Sequence, residues 1–312
     1  MPGRHSHRLI ILFTMLLVMA DLRPGLANQV LIVQGSSLEA YQRAVSGFNQ
    51  VFATISLPGV ASIQTTQTVV LDPKQNNHNQ TITKNYQDLQ PNLIVAVGSS
   101  ALEAVKDLPQ PIIYLMTPDP EAIIQRRPHI TGVKILTSPE TQLSAIKETF
   151  PNIKRIGLLY NPATCGDFPH LAQMAAARLD LTLIEVAADN DRDLIQHLHE
   201  VEDQLDAMLL TPAPTIITSP LLEVLALLSL EKRLPLIAFA PKYLDQGATM
   251  TIFTSPEQLG MQAAEMAKRL LASPGQEEIK PEYGKEATKM TNRRIIQKLG
   301  LVIAGPTGGK RP

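Results

Sequence analysis

Two short phrases in the sequence carry the residue types that hold an anion. Residues 30–40 read VLIVQGSSLEA and residues 92–104 read NLIVAVGSSALEA. Each runs an apolar, β-branched stretch into Gly-Ser-Ser and then straight into helical spacing, the pattern of a strand buried on both faces followed by a helix. Gly35 and Gly98 permit the sharp turn. Ser36, Ser37, Ser99 and Ser100 put hydroxyls beside the unpaired N–H groups that open a helix. Such an end carries partial positive charge and accepts a carboxylate or a similar anion. Two of them at the C-terminal edge of one parallel sheet would form half of a ligand cleft. The plainer alternative is that the serines do no more than cap their helices.

Other candidate chemistry is thinner. Cys165 lies near Asp167 and His170 in sequence, but nothing orients them as nucleophile and base, and a small buried Cys accounts for the position better. His197 and His199 fall two apart in a helical stretch, where side chains diverge instead of converging on a metal. Asp119, between two prolines, suits a ligand contact or a turn equally. Tyr160 and Phe239 end predicted strands, where each either stacks on a planar ligand or packs in the core. GxSxG, HExxH, Walker and GxGxxG motifs are absent. The expectation is a protein without catalytic residues, metal or cofactor.

The elements that must position these residues alternate regularly. Strands are expected at 29–34, 93–97, 111–116, 155–160, 181–186, 207–210, 235–239 and 247–253, with helical spacing between them. The Thr and Gln alternation of 60–71 reads as a strand near a sheet edge. Strand and helix in this order predict an α/β fold of two Rossmann-like lobes, each with a parallel sheet, and a cleft between them. Ser138 should cap a helix over 138–150, and 255–271 should form a long helix before a tail holding a strand and a helix.

At 312 residues the chain suggests two domains, and a formal charge of −1 gives no field to draw nucleic acid or an acidic membrane. Arg4 and Arg8 precede an apolar run over 9–20, too short for the roughly 20 residues that span a bilayer. With Gly25, Leu26 and Ala27 behind it, this run predicts a signal peptide cleaved after Ala27 and a periplasmic protein. The single cysteine, Cys165, makes no internal disulfide and lies far from the cleavage site, so no lipid anchor is expected.

From Pro111 onward the sequence resembles the periplasmic substrate-binding proteins of ABC transporters, in the branch typified by the tryptophan-binding type. The phrases that carry the resemblance are PIIYLMTPDPEA, HITGV, SPETQ, RIGLLYNP, LDAMLLTPAPTIITS, RLPLIAFA and GATMTIFTSPEQLGMQAAEMAKRLL. The resemblance implies the type I periplasmic binding fold, with three crossover segments, hinge closure over a small ligand and delivery to an inner-membrane permease by a monomer. It implies lobe one over 28–132 plus about 247–275, lobe two over 133–246 plus about 276–305, and a disordered tail over 306–312. Ligand contacts carried over are Ser36, Ser37, Ser99, Ser100, Met116, Thr117, Tyr160, Asn161, Thr164, Ala213, Thr215, Phe239 and Ala240. The family's ligands lean towards amino acids. One departure stands out: Ala213-Pro214 replaces an Asp-Asn pair common in relatives, and neither residue can pair with a ligand ammonium. The same cleft would also serve a module for a membrane sensor or an uptake complex, or an envelope enzyme.

Overall fold

The computed structural model describes residues 28–54, 64–72, 78–125, 127–212, 216–272 and 279–304. The expected signal peptide, the tail 306–312 and the candidate contacts Ala213 and Thr215 lie outside the described residues.

The first sheet grows from the longest apolar runs. In β1 (Asn28–Gln34) residues 30–33 are fully buried, and so is all of β3 (Leu93–Val97). That is the requirement of parallel strands covered by helices on both faces. β2 (Gln64–Val70) lies at the sheet edge with Thr65, Thr68 and Val70 exposed, as its polar alternation requires. β4 (Ile112–Leu115), β5 (Ile130–Thr137) and β11 (Glu282–Gly284) complete the order β11-β5-β4-β3-β1-β2, with every neighbouring pair parallel. Its helices are α1 (Glu39–Phe52), α2 (His78–Leu89), α3 (Ser99–Val105) and the short α4 (Pro120–Ile124).

The second sheet repeats the plan with α5 (Pro139–Thr149), β6 (Arg155–Tyr160), α6 (Phe168–Arg178), β7 (Thr182–Ala187), α7 (Asp191–Val201), β8 (Ala207–Leu210), α8 (Ser219–Lys232) and β9 (Leu236–Ala238). β10 (Met250–Phe253) and β12 (Thr288–Thr291) extend it to the order β12-β10-β9-β8-β6-β7. Only β12 runs antiparallel. Side chains start its helices: Ser138, Asn190 and Thr218 each accept a backbone N–H three residues on, at 3.0–3.2 Å. Each such cap is worth about 1 kcal/mol.

α9 (Pro256–Ala272) returns to the first lobe and packs on α1 through small residues. A Cβ added at Gly47 would stand 2.1 Å from the Glu257 carbonyl oxygen, and one at Gly260 would stand 1.9 Å from that of Ala44. The two helices are therefore in backbone contact, which only glycine allows. Arg43 closes the helix pair with an ion pair to Glu257. α10 (Arg293–Leu299) follows β12 and packs Ile296 into the second lobe.

These memberships correct the expected lobe boundaries. β5 stays in the first sheet as far as Thr137, and β11 joins it there, although residues 133–137 and 282–284 were expected in lobe two. β10 belongs to the second sheet, although 250–253 was expected in lobe one. The reason is physical: a strand's local pattern reports its period, while its sheet is decided by which partner offers free hydrogen-bonding edges.

The chain thus crosses between lobes three times: from β5 into α5, from β10 into α9, and from β11 into β12. One hydroxyl ties the crossings together. Thr254 Oγ1 donates to the Glu286 carbonyl at 2.7 Å and lies 3.0 Å from Thr137 Oγ1. Ser138 N–H also donates to the Gly284 carbonyl at 3.0 Å.

Candidate functional site

The turns after β1, β3 and β4 lie side by side at the C-terminal edge of the first sheet. Gly35 N–H donates to the Val97 carbonyl and Gly98 N–H to that of Leu115, both at 2.9 Å. Gly98 has φ +94°, and the Tyr41 ring lies so close that any Cβ would meet it at 2.7 Å. The Gly-Ser-Ser phrases sit here, but their serines are not caps. Leu38 and Gly98 hold the N-cap positions of α1 and α3, with no side-chain cap bond at either. Ser99 and Ser100 are the first residues of α3, and Ser100 Oγ donates to the Gly35 carbonyl at 3.3 Å. Ser37, Ser99 and Ser100 are exposed and Ser36 is half-buried.

Beyond β4 the backbone turns abruptly. Met116 adopts φ +54°, an uncommon conformation for a residue with a side chain, while its side chain packs on the first core. The turn aims residues 117–121 into a cleft of about 100 Å³ between the lobes. Lobe one contributes Thr117, Pro118, Asp119, Pro120 and Glu121, and β5 contributes Lys134, Ile135 and Leu136. Lobe two faces them with Ala163, Thr164, Cys165, Gly166 and Pro212, and Tyr283 of β11 closes one side. Asp119 starts α4 by accepting the Ala122 N–H at 3.4 Å. Thr117, 1% exposed, donates its hydroxyl back to the Leu115 carbonyl at 3.2 Å. Thr164 Oγ1 is buried and has no hydrogen-bond partner.

A charged cluster joins the lobes beside this cleft. Lys134 Nζ lies 3.6 Å from Glu121 and 3.2 Å from Asp167, and 4.6 Å from the centre of the Tyr283 ring. The Tyr283 hydroxyl donates to Asp167 at 2.5 Å, and its ring packs edge-on against Phe168 of lobe two. Burial works against charge on Asp167, but the Tyr283 hydroxyl and the Lys134 ammonium outweigh it and hold the carboxyl below the usual carboxylate range. Burial, and then Asp167, push the Tyr283 phenol far upward. Burial also pushes the Cys165 thiol up to about 11, against the weak bond from its sulfur to Thr211 Oγ1 at 3.8 Å.

Of the sequence-predicted residues, Thr117 and Thr164 line the cleft directly, and Met116 makes the turn immediately before Thr117. The four serines and Tyr160, Asn161, Phe239 and Ala240 are not in its lining. Tyr160 donates its hydroxyl to Glu185 on the neighbouring strand at 2.6 Å; burial and that bond push the phenol up to about 12. Asn161 is buried and shapes its own loop, accepting the Ala163 N–H at 2.7 Å. Phe239 packs edge-on against Tyr243, with ring centres 4.9 Å apart. His197 and His199 diverge as expected, one towards the Ala187 carbonyl and the other to Glu202. Sequence reasoning missed Lys134, Glu121 and Tyr283. A lysine inside an otherwise apolar crossing strand was the available signal.

Comparison with known proteins places the chain. The family described as ABC transporter substrate binding protein matches residues 30–305. No curated protein matches the sequence. Among solved structures the chain is similar to the ligand-free, open form of a substrate binding protein with adhesive properties from Clostridium difficile. The two share 17% identity with a TM-score of 0.63, over 90% of this chain and 97% of that one. It is similar also to an ABC domain in complex with L-Trp from Streptococcus pneumonia, at 17% identity and a TM-score of 0.52, over 90% and 96% of the two chains. A conserved domain protein from Vibrio cholerae matches at 19% identity and a TM-score of 0.51, over 89% and 96%. At these identities the likeness is one of fold: two α/β lobes of mostly parallel strands.

Proposed function

The chain belongs to the ABC transporter substrate binding protein family, and on that footing we propose that it captures a small carboxylate-bearing or amino-acid-like solute between its lobes and delivers it to an inner-membrane permease. The observation that carries this reading is the cleft, lined from one lobe by residues 117–121 and from the other by 163–166 and Pro212. A solute touching both walls stabilises the closed arrangement, and only to the extent that it touches both. The three crossings tied at Thr254 supply the hinge about which the walls approach.

The Ser36-Ser37 turn and the start of α3 at Ser99-Ser100 receive the solute's anionic end as the cleft shuts, from a rim adjoining the Met116 turn. The proposed lobe-two contacts of the closed form are Tyr160, Asn161, Phe239 and Ala240, together with Ala213 and Thr215. The protein works outside the cytoplasm as a monomer, exported by the signal peptide and released after Ala27. Among the described residues no helix is long and apolar enough to cross a membrane. On this reading it binds and does not catalyse; burial raises the Cys165 thiol to about 11, which disfavours its thiolate at neutral pH.

The test is mass spectrometry of small molecules released from gently purified protein, followed by thermal-shift confirmation with the identified compound. A stoichiometric compound that raises Tm supports capture. An empty protein that no small solute stabilises refutes it.

A further inference from the structure

The chain's overall charge conceals a local excess. Residues 287–304 carry Lys289, Arg293, Arg294 and Lys298 and no acidic residue, in a chain whose formal charge is −1. Lys289 is paired with Glu148 at 2.8 Å. The other three belong to α10, where Arg293, Arg294, Gln297 and Lys298 are exposed on one face while Ile296 and Leu299 are buried on the other. None of these three cations makes an ion pair among the described residues. Just past the helix, Val302 is 71% exposed and Ile303 beside it is exposed too.

The face is held firmly in place. Asn292 Oδ1 accepts the Ile295 N–H at 3.2 Å while its Nδ2 donates to the Leu244 carbonyl at 3.1 Å, and the Ala304 N–H donates to the Thr149 carbonyl at 3.1 Å. Yet its charges are set against local stability. The first turn of a helix favours acids, such as Glu140 in α5 and Asp191 and Asp193 in α7, whereas α10 opens on two arginines. A face that met only water would have no need of cations at that end.

We propose that this face docks the protein on an anionic phospholipid surface, its cations meeting lipid phosphates while Val302 and Ile303 enter the headgroup layer. The inference goes beyond the capture reading and does not depend on it. α10 is about 10 Å long, so its three cations approach one surface together, within the range of its unscreened field. A second copy of the chain would set cation against cation. A lipid surface takes the cations and the neighbouring apolar side chains alike. Docking here also leaves the cleft free. β12 runs from the crossings, where Thr288 pairs with Phe253, to the far edge of the second sheet, where Thr291 pairs with Met250, and α10 starts there. The cleft lies at the opposite edge, where residues 163–166 and Pro212 follow the ends of β6 and β8.

The test sediments protein purified after export with vesicles of phosphatidylcholine alone and of phosphatidylcholine with about one-third phosphatidylglycerol, at about 50 mM and about 500 mM salt. The expected result is binding to the anionic vesicles at low salt, none to the neutral ones, and loss at high salt. Arg293→Gln, Arg294→Gln and Lys298→Gln together should weaken it at least about tenfold. Val302→Ser should weaken it severalfold. Removing three exposed cations elsewhere, by Arg192→Gln, Arg233→Gln and Lys268→Gln, should change it less than about twofold. The α10 variant should melt no lower than its parent, because glutamine relieves the first turn. The lipid selectivity of the parent does not depend on any variant. No binding to anionic vesicles at low salt, equal binding to neutral ones, undiminished binding in the α10 variant or an equal loss in the dispersed variant overturns the assignment. Retention on immobilised polyglutamate without vesicle binding also overturns it, and reassigns the face to an acidic protein.

Discussion

Replacing Thr254 by valine removes one hydroxyl and almost no volume, at the point where all three crossings meet. A threonine hydroxyl has a single proton. Thr254 spends its proton on the Glu286 carbonyl at 2.7 Å, so in the 3.0 Å contact with Thr137 the donor must be Thr137. Thr254 is 5% exposed and Thr137 is 1% exposed, so water does not readily replace what is lost. Two net hydrogen bonds at about 1 kcal/mol each disappear, and the orphaned Thr137 donor adds about 1–2 kcal/mol of desolvation cost. Thr254→Val should therefore destabilise by about 3–4 kcal/mol. Thr137→Val loses only one bond and leaves Thr254 its carbonyl partner, for about 1 kcal/mol. The double variant should cost less than the sum, because removing Thr137 also removes the orphan. Urea denaturation of the four proteins, compared by midpoint and slope, measures all three terms. Strict additivity, or a Thr137→Val cost equal to that of Thr254→Val, would refute the proton assignment and the knot built on it.

Further outcomes follow from other contacts. Gly47→Val drives a side chain into the Glu257 backbone and should cost about 2–4 kcal/mol in denaturant, with α9 loosening first in hydrogen exchange. Cys165, its thiol raised to about 11 by burial, should react with a disulfide reagent at pH 8 about a hundredfold more slowly than an exposed cysteine; reaction at the free rate would contradict the buried placement. The Asp167 carboxyl is depressed, so its contribution to stability is present at neutral pH and lost as pH falls below the ordinary carboxylate range. Asp167→Asn should flatten that acid loss while costing no more than about 1 kcal/mol at pH 7, since 59% of the Asp167 side chain is exposed. An unchanged acid profile would show that the Lys134 contact does not hold the lobes.

The alternation of buried runs and helical spacing was readable because period is a local property: β1, β3, β6 and β8 stand where their Leu, Ile and Val runs put them. Sheet membership was less readable. The sequence 250–253 carries no mark of its partner, and it is the free edge of β9, with β12 on its other side, that draws it into the second sheet. α4 escaped notice because five residues, starting at Pro120, are too few to show a period. The serine turns were found, but their role as caps was misjudged by one or two positions, since α1 begins after Leu38 and α3 begins directly after Gly98. The cleft's charges were the hardest to see. Glu121, Lys134, Asp167 and Tyr283 come from four segments as much as 162 residues apart, and only the crossings bring them together.

The central claim is that a solute is held by both lobes at once. Hydrogen–deuterium exchange of the stripped protein, with and without the compound released from it, tests this directly. The account predicts slowed exchange in 117–121 and in 163–166 together, with the outer helices α2 and α7 unchanged. Protection confined to one lobe, or to surfaces away from the cleft, would contradict it.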